Sequence, residues 1–204
     1  MTPPLRGIVL AGGRSSRLGG RHKPAIRVDG VPIVARAIAA LREAGAEPLV
    51  VGEARSVPGG VPVVREDPPF AGPLAAVAAG LGALTPAPDG VILLLGGDMP
   101  FVTAATLARL AALAAVAAGG AAYAEGGDGR AQPLCAAWDE AVLRARLATI
   151  GDPANLPLRV LHETLDPARV HVPARELLDV DTPDDLREAS RAPSACNMPP
   201  DRLE

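Results

Sequence analysis

The sequence predicts an α/β protein, a mostly parallel sheet with helices on both faces. Two observations carry this expectation. Short apolar runs alternate with helical periodicity through residues 1–118, as repeated strand–helix–strand units require. The run Gly90–Leu95 has no polar alternation, which suits a strand covered on both faces. With 204 residues, 49% hydrophobic and 21% charged, the chain can bury one core. One domain is expected over residues 1–191. The Pro-containing polar stretch 192–204 reads as a disordered tail.

The elements follow in order. Gly7–Leu10 reads as a buried strand feeding the Gly-rich Ala11-Gly12-Gly13. Pro32 opens and Gly45 closes a helix from Ile33 to Ala44, with Ile33, Ala37, Ile38 and Leu41 on one face. Pro48–Gly52 and Val61–Val64 read as strands. Leu74, Val77, Leu81 and Leu84 form the next helical face. After Leu95, Thr103 caps an Ala-rich helix expected to run to about Ala118. Ala121–Ala124 and Gln132–Trp138 flank a turn at Gly126–Gly129 and form a hairpin. Helices are expected over Asp139–Leu147 and Asn155–Leu161, and short strands over Val170–Val172 and Leu177–Val180. Thr182-Pro183 starts a last helix.

Composition excludes several function classes. The net charge is −3 and no basic stripe is interleaved with aromatics, so nucleic acid is not the expected partner. The most apolar helical stretch, Leu107–Ala122, is Ala-rich and carries Arg109, too weak for a membrane span. The N-terminus lacks the charged and apolar regions of a signal peptide. Cys135 and Cys196 are far apart, so no disulfide framework is expected and a reducing cytoplasm suits the chain. His22, His162 and His171 are scattered, Ser15 and Ser16 have no adjacent base, and Cys135 and Trp138 read as core residues.

Four motifs carry the expected chemistry. The first is Leu10-Ala11-Gly12-Gly13-Arg14-Ser15-Ser16-Arg17-Leu18-Gly19-Gly20-Arg21-His22-Lys23. Its glycines let backbone N–H groups approach phosphate oxygens, and Arg14, Arg17 and Lys23 add charge. Lys23 is the only lysine among 20 basic residues; a compact ammonium is retained where all other positions use arginine. The spacing is neither that of a Walker A loop nor that of the dinucleotide fingerprint. The second is Gly97-Asp98-Met99-Pro100, a carboxylate at the end of a buried strand and a natural Mg²⁺ ligand. The third is Asp67-Pro68-Pro69-Phe70-Ala71-Gly72-Pro73, where Asp67 could read a base or ribose and Gly72 permits close backbone approach. The fourth is Asp179-Val180-Asp181-Thr182-Pro183, two carboxylates on one face of an extended segment, suited to a metal or a substrate. Plainer readings stand beside these: Asp98 as a turn residue before Thr103, and Asp184 and Asp185 as helix-dipole partners. The first three motifs fall at the carboxyl ends of strands, where such sheets bind ligands.

Together the four segments resemble the nucleotidyltransferases that modify the molybdenum cofactor, and most closely the molybdenum cofactor guanylyltransferases of the MobA-like family, over Gly7 to Arg191. The resemblance implies a Rossmann-like three-layer α/β/α sandwich. It implies that GMP passes from GTP, with Mg²⁺, to the terminal phosphate of molybdopterin, with release of pyrophosphate. Leu10, Ala11, Gly12, Gly13, Lys23, Asp67, Gly72 and Asp98 would bind the nucleotide, with Lys23 at its phosphates and Asp67 at the nucleoside. Lys23, Arg17 and Asp98 would be the catalytic residues, Asp98 and Asp181 the metal ligands, and Asp179 and Asp181 the contacts to the acceptor. Molybdenum cofactor insertion proteins are the implied protein partners. The chain departs from the family at Gly52-Glu53 and at Asp179 and Asp181, where Asn is frequent. The Asp-x-Asp-Thr-Pro pattern also occurs in related cytidylyltransferases. Cytidylyl transfer to the same cofactor, another small-substrate nucleotidyl transfer such as to a sugar phosphate, and nucleotide binding without turnover therefore stay open.

Overall fold

The computed structural model describes residues 3–12, 25–55 and 57–191. The expected tail at 192–204 lies outside them. In chain order the elements are β1 (Leu5–Ala11), β2 (Arg27–Val28), β3 (Val31–Pro32), α1 (Ile33–Glu43), β4 (Glu47–Gly52), β5 (Val63–Val64), α2 (Pro73–Gly82), β6 (Val91–Gly96), α3 (Ala104–Ala114), β7 (Ala121–Glu125), β8 (Ala131–Asp139), α4 (Glu140–Ile150), β9 (Ala168–His171) and α5 (Pro183–Arg191).

A seven-stranded sheet has the order β5-β4-β1-β6-β8-β7-β9. β5, β4, β1 and β6 are mutually parallel neighbours. β8 runs antiparallel to both β6 and β7, and β9 returns parallel to β7. The sheet separates two cores, because successive strand residues point to opposite faces. Val9, Leu93 and Leu95 pack with Val34, Ile38, Leu41, Leu107 and Leu110 of α1 and α3. Ile8, Ile92 and Leu94 pack with Leu74, Val77, Leu81, Tyr123, Trp138 and Leu143 on the α2 and α4 side. This is the expected three-layer sandwich. Gly7 makes the α1 packing possible, since a Cβ there would lie 2.5 Å from Leu41 Cδ2.

Local chemistry explains most boundaries. Thr103 accepts the Thr106 N–H at 3.2 Å and caps α3, as expected. At the start of α5, Thr182 Oγ1 accepts the Asp185 N–H, while the Asp185 carboxylate accepts the N–H groups of Asp181 and Thr182, a reciprocal cap. Other expectations fail for identifiable reasons. α3 stops at Ala114 rather than Ala118; its apolar face is already buried there, and Val116 is 79% exposed. Asn155–Leu161 is not one helix. Asn155 has φ +58, Pro157 cannot donate, and only Leu158–Leu161 forms a 3-10 turn. Leu177–Val180 is not a strand; a 3-10 turn spans Ala174–Leu177 and a single bond runs from the Val180 N–H to the Asp98 carbonyl at 3.0 Å. No helix among the described residues is long and apolar enough to cross a membrane.

At the amino ends of β1 and β6 lies a buried ionic cluster. Glu140, fully buried at the start of α4, pairs with Arg6 of β1 and with Arg144 Nε at 2.8 Å, and accepts the Ala87 N–H at 3.0 Å. Burial and the neighbouring Arg144 charge pull the Arg6 guanidinium below its usual value. Removing one member leaves the other charges buried and uncompensated. Glu140→Ala is therefore expected to lose about 3–5 kcal/mol of stability, measured as the shift in a urea unfolding curve.

Candidate functional site

Because β5, β4, β1 and β6 run in one direction, their carboxyl ends share one edge of the sheet. That edge carries Gly12, Gly52-Glu53, Arg65-Glu66 and Gly97-Asp98. Leu10 and Gly12, Glu66 and Phe70, Gly72 and Pro73, and Asp98 border a cleft of about 280 Å³. Ala11, Gly12, Gly52, Glu53, Arg65, Glu66 and Phe70 border a narrow crevice beside it. Gly12, Glu66 and Phe70 belong to both.

The edge is built around missing side chains. Gly52 has φ +146, and a Cβ on it would lie 2.7 Å from Ala11 C, 2.8 Å from Ala11 O and 2.9 Å from Gly12 N. The end of β4 thus presses directly on the backbone where the Gly-rich loop begins. Gly97 donates its N–H to the Leu10 carbonyl at 2.9 Å from the other side. Gly72 leads into α2, with Pro73 in its first turn, so the positive end of a helix dipole borders the cleft. Asn155 donates its N–H to the Ala71 carbonyl at 2.6 Å, tying this turn to the chain after α4.

Asp98 is half-buried after β6. Its carboxylate folds back over Gly96, where a Cβ would lie 2.5 Å from Asp98 Oδ1. The Val180 N–H bond to the Asp98 carbonyl brings Asp179 and Asp181 alongside. Gln132 Nε2 donates to Asp179 Oδ2 at 3.2 Å, which places the β8 strand in the same neighbourhood. Among the described residues no group of three or more His, Cys, Asp or Glu is placed to hold a metal.

The structure therefore assembles Leu10, Ala11, Gly12, Gly72 and Asp98 on one edge, with Asp179 and Asp181 joined to Asp98 through the backbone. Gly13, Arg14, Arg17 and Lys23 lie outside the described residues. Asp67 stands exposed on the turn after Glu66, and it is Glu66 that borders the cleft. Sequence reasoning passed over Glu66; its only signal was a second acid directly before Asp67. Cys135 is fully buried, and burial, reinforced by Glu176 and Asp179, pushes its thiol up to about 12. His162 is packed against Tyr123, with Nδ1 3.1 Å from the phenol oxygen. Cys135 belongs to the core, as expected, and His162 is half-buried beside it on the Tyr123 ring.

A glycine-lined strand edge, a helix amino end and a strand-end carboxylate define the class: an α/β protein that binds its ligand at the carboxyl ends of parallel strands. The chain belongs to the MobA-like NTP transferase domain family, whose model matches residues 7–168. It is 43% identical over 104 residues to a probable molybdenum cofactor guanylyltransferase of Opitutus terrae, a stretch covering 50% of this chain and 51% of that protein. It is 32% identical over 174 residues to the molybdenum cofactor guanylyltransferase of Xanthomonas euvesicatoria pv. vesicatoria, covering 85% of this chain and 86% of that protein. In fold it superposes on Rv0371c of Mycobacterium tuberculosis in complex with manganese, with a TM-score of 0.71 and 19% identity over 94% of this chain and 100% of that one.

The contact between Gly52 and the loop is testable. Gly52→Ala is expected to cost about 1–3 kcal/mol of backbone strain and to displace Ala11–Gly12. Nucleoside triphosphate binding, measured by calorimetry, should weaken more than about tenfold. Gly60→Ala, at φ +79 but facing open space, should bear the backbone cost without the loss of binding.

Proposed function

We propose that this chain is a molybdenum cofactor guanylyltransferase, transferring GMP from GTP to the terminal phosphate of molybdopterin and releasing pyrophosphate. The observation that carries this is the cleft where Leu10, Gly12, Gly72, Pro73 and Asp98 meet. It lies in a chain 32% identical to such an enzyme over 86% of that enzyme's length.

In this proposal an oxygen of the acceptor phosphate attacks the α-phosphorus of GTP. The bond from that phosphorus to the bridging oxygen breaks, and pyrophosphate leaves. The attacking phosphate is already ionised, so the protein needs no general base. That agrees with a cleft bordered by neither histidine nor cysteine among the described residues. Catalysis then rests on positioning and charge. Backbone at Leu10, Ala11, Gly12 and Gly13 lines the guanine nucleotide, with Gly72 allowing the second wall to approach. Asp67, exposed on the turn beside Glu66, contacts the nucleoside. Lys23 and Arg17 carry the positive charge that meets the phosphates and the departing pyrophosphate.

Asp98 and Asp181 offer hard oxygen donors, the chemistry Mg²⁺ requires, and one or two carboxylates suffice when phosphates and water complete the shell. Mg²⁺ held there would supply charge neutralisation on the triphosphate. Asp179, beside it, faces the acceptor together with Asp181. Handing the product to molybdenum cofactor insertion proteins completes the proposed role.

Calorimetric titration with GTP, CTP and ATP, each with Mg²⁺, tests the nucleotide. GTP should bind at least about tenfold tighter than either competitor, and Lys23→Ala should weaken it; a preference for CTP would replace guanylyl by cytidylyl transfer. Asp98→Asn should cut the rate of pyrophosphate release at least about 100-fold, as expected when charge stabilisation in the transition state is lost. Unchanged turnover in Asp98→Asn would remove Asp98 from the catalytic set.

A further inference from the structure

We infer that Glu66 reads the base of the nucleotide, as the acceptor that selects guanine. The inference rests on the reading of this cleft as the GTP site. Glu66 directly follows β5 and is only 7% exposed. Its Oε1 accepts the Phe70 N–H at 2.9 Å. Its Oε2 is buried and has no hydrogen-bond partner among the described residues. A buried carboxylate oxygen left unpaired is a standing cost that folding alone does not explain. Arg65, the neighbouring cation, lies over the Phe70 ring at 4.9 Å from its centroid.

The position suits a ligand. Glu66 borders both the cleft and the adjoining crevice, next to Gly12, whose missing Cβ would lie 3.9 Å from Oε1. The same cleft holds Asp98, so a nucleotide with its base at Glu66 and its phosphates toward Asp98 lies across the strand ends.

The chemistry of the bases decides which one fits. Guanine alone presents two adjacent donors, N1–H and the 2-amino group. Adenine and cytosine place an acceptor ring nitrogen beside their amino group. Uracil flanks its N3–H with two carbonyl oxygens. An ionised carboxylate accepts from guanine's paired donors and repels the acceptors of the other three. A site built around such a donor pair discriminates against the analogue that lacks part of it, because its buried acceptor is then left unpaired.

Inosine triphosphate, which keeps N1–H and lacks the 2-amino group, is the probe. Calorimetric titration of the parent chain with Mg²⁺ should give GTP about 10- to 100-fold tighter binding than inosine triphosphate. Glu66→Gln should weaken GTP by a similar factor and bring the two affinities together, with its thermal midpoint close to the parent's. A stable Glu66→Gln chain that keeps the parent's GTP preference overturns the inference. So does one in which both nucleotides weaken equally. If the variant fails to fold, the parent decides alone: equal binding of GTP and inosine triphosphate overturns the inference while leaving guanylyl transfer intact. A parent that prefers CTP, or binds no nucleotide, overturns the guanylyl reading first and the role of Glu66 with it.

Discussion

The structure depends on how closely three parallel strand ends approach one another. β1 lies between β4 and β6, with Ala11 opposite Gly52 and Leu10 opposite Gly96. At that level the chain carries almost no side chains: Gly12, Gly52, Gly96 and Gly97 leave the backbone bare. The consequence is chemical as well as steric. Gly52, Gly96 and Gly97 are buried and let the strand ends close on one another, while Gly12 is exposed and leaves bare backbone that a phosphate or base can approach closely. The same absence lets the Asp98 carboxylate fold over Gly96 and lets the Asp179–Asp181 segment bond to the Asp98 carbonyl.

Charge is divided between scaffold and site. Several arginines outside the first loop hold the fold. Arg6 and Arg144 neutralise the buried Glu140, and Arg146 donates to the carbonyls of Val160 and Leu161. Arg36 bonds the Val28 carbonyl and Asp29 in the β2–β3 hairpin. Lys23, the one lysine of the chain, belongs to the Gly-rich segment instead. Among the described residues, Cys135 is packed in β8 and His162 packs against Tyr123, both away from the cleft. Among the described residues, the polar groups bordering the cleft are backbone and the carboxylates of Glu66 and Asp98, a set suited to positioning a nucleotide rather than to attacking it.

The sequence was most legible where burial is periodic or continuous. Gly7–Leu10, Pro48–Gly52 and Gly90–Leu95 had to be strands because nothing polar interrupts them, and they became β1, β4 and β6. Pro32 and Gly45 marked the ends of α1 because each has a backbone conformation that suits a helix terminus. Asp98 was visible as a carboxylate stranded at the end of the most apolar run. The β2–β3 hairpin was not, since two residues per strand carry no period, although Asp29-Gly30 forms its turn at positive φ. The burial of Glu66 was invisible for a different reason. Its carboxylate is held by the Phe70 N–H four residues on, a local bond that no pattern of apolar residues encodes.

The most direct measurement is the product. The chain would be incubated with molybdopterin, Mg²⁺ and one of GTP, CTP or ATP, and both pyrophosphate and the mass of the modified pterin followed. Guanylyl transfer predicts pyrophosphate release that requires molybdopterin and GTP together, and a pterin heavier by one GMP unit. Pterin modified from CTP instead, or a nucleotide bound with no acceptor-dependent release at all, would contradict it.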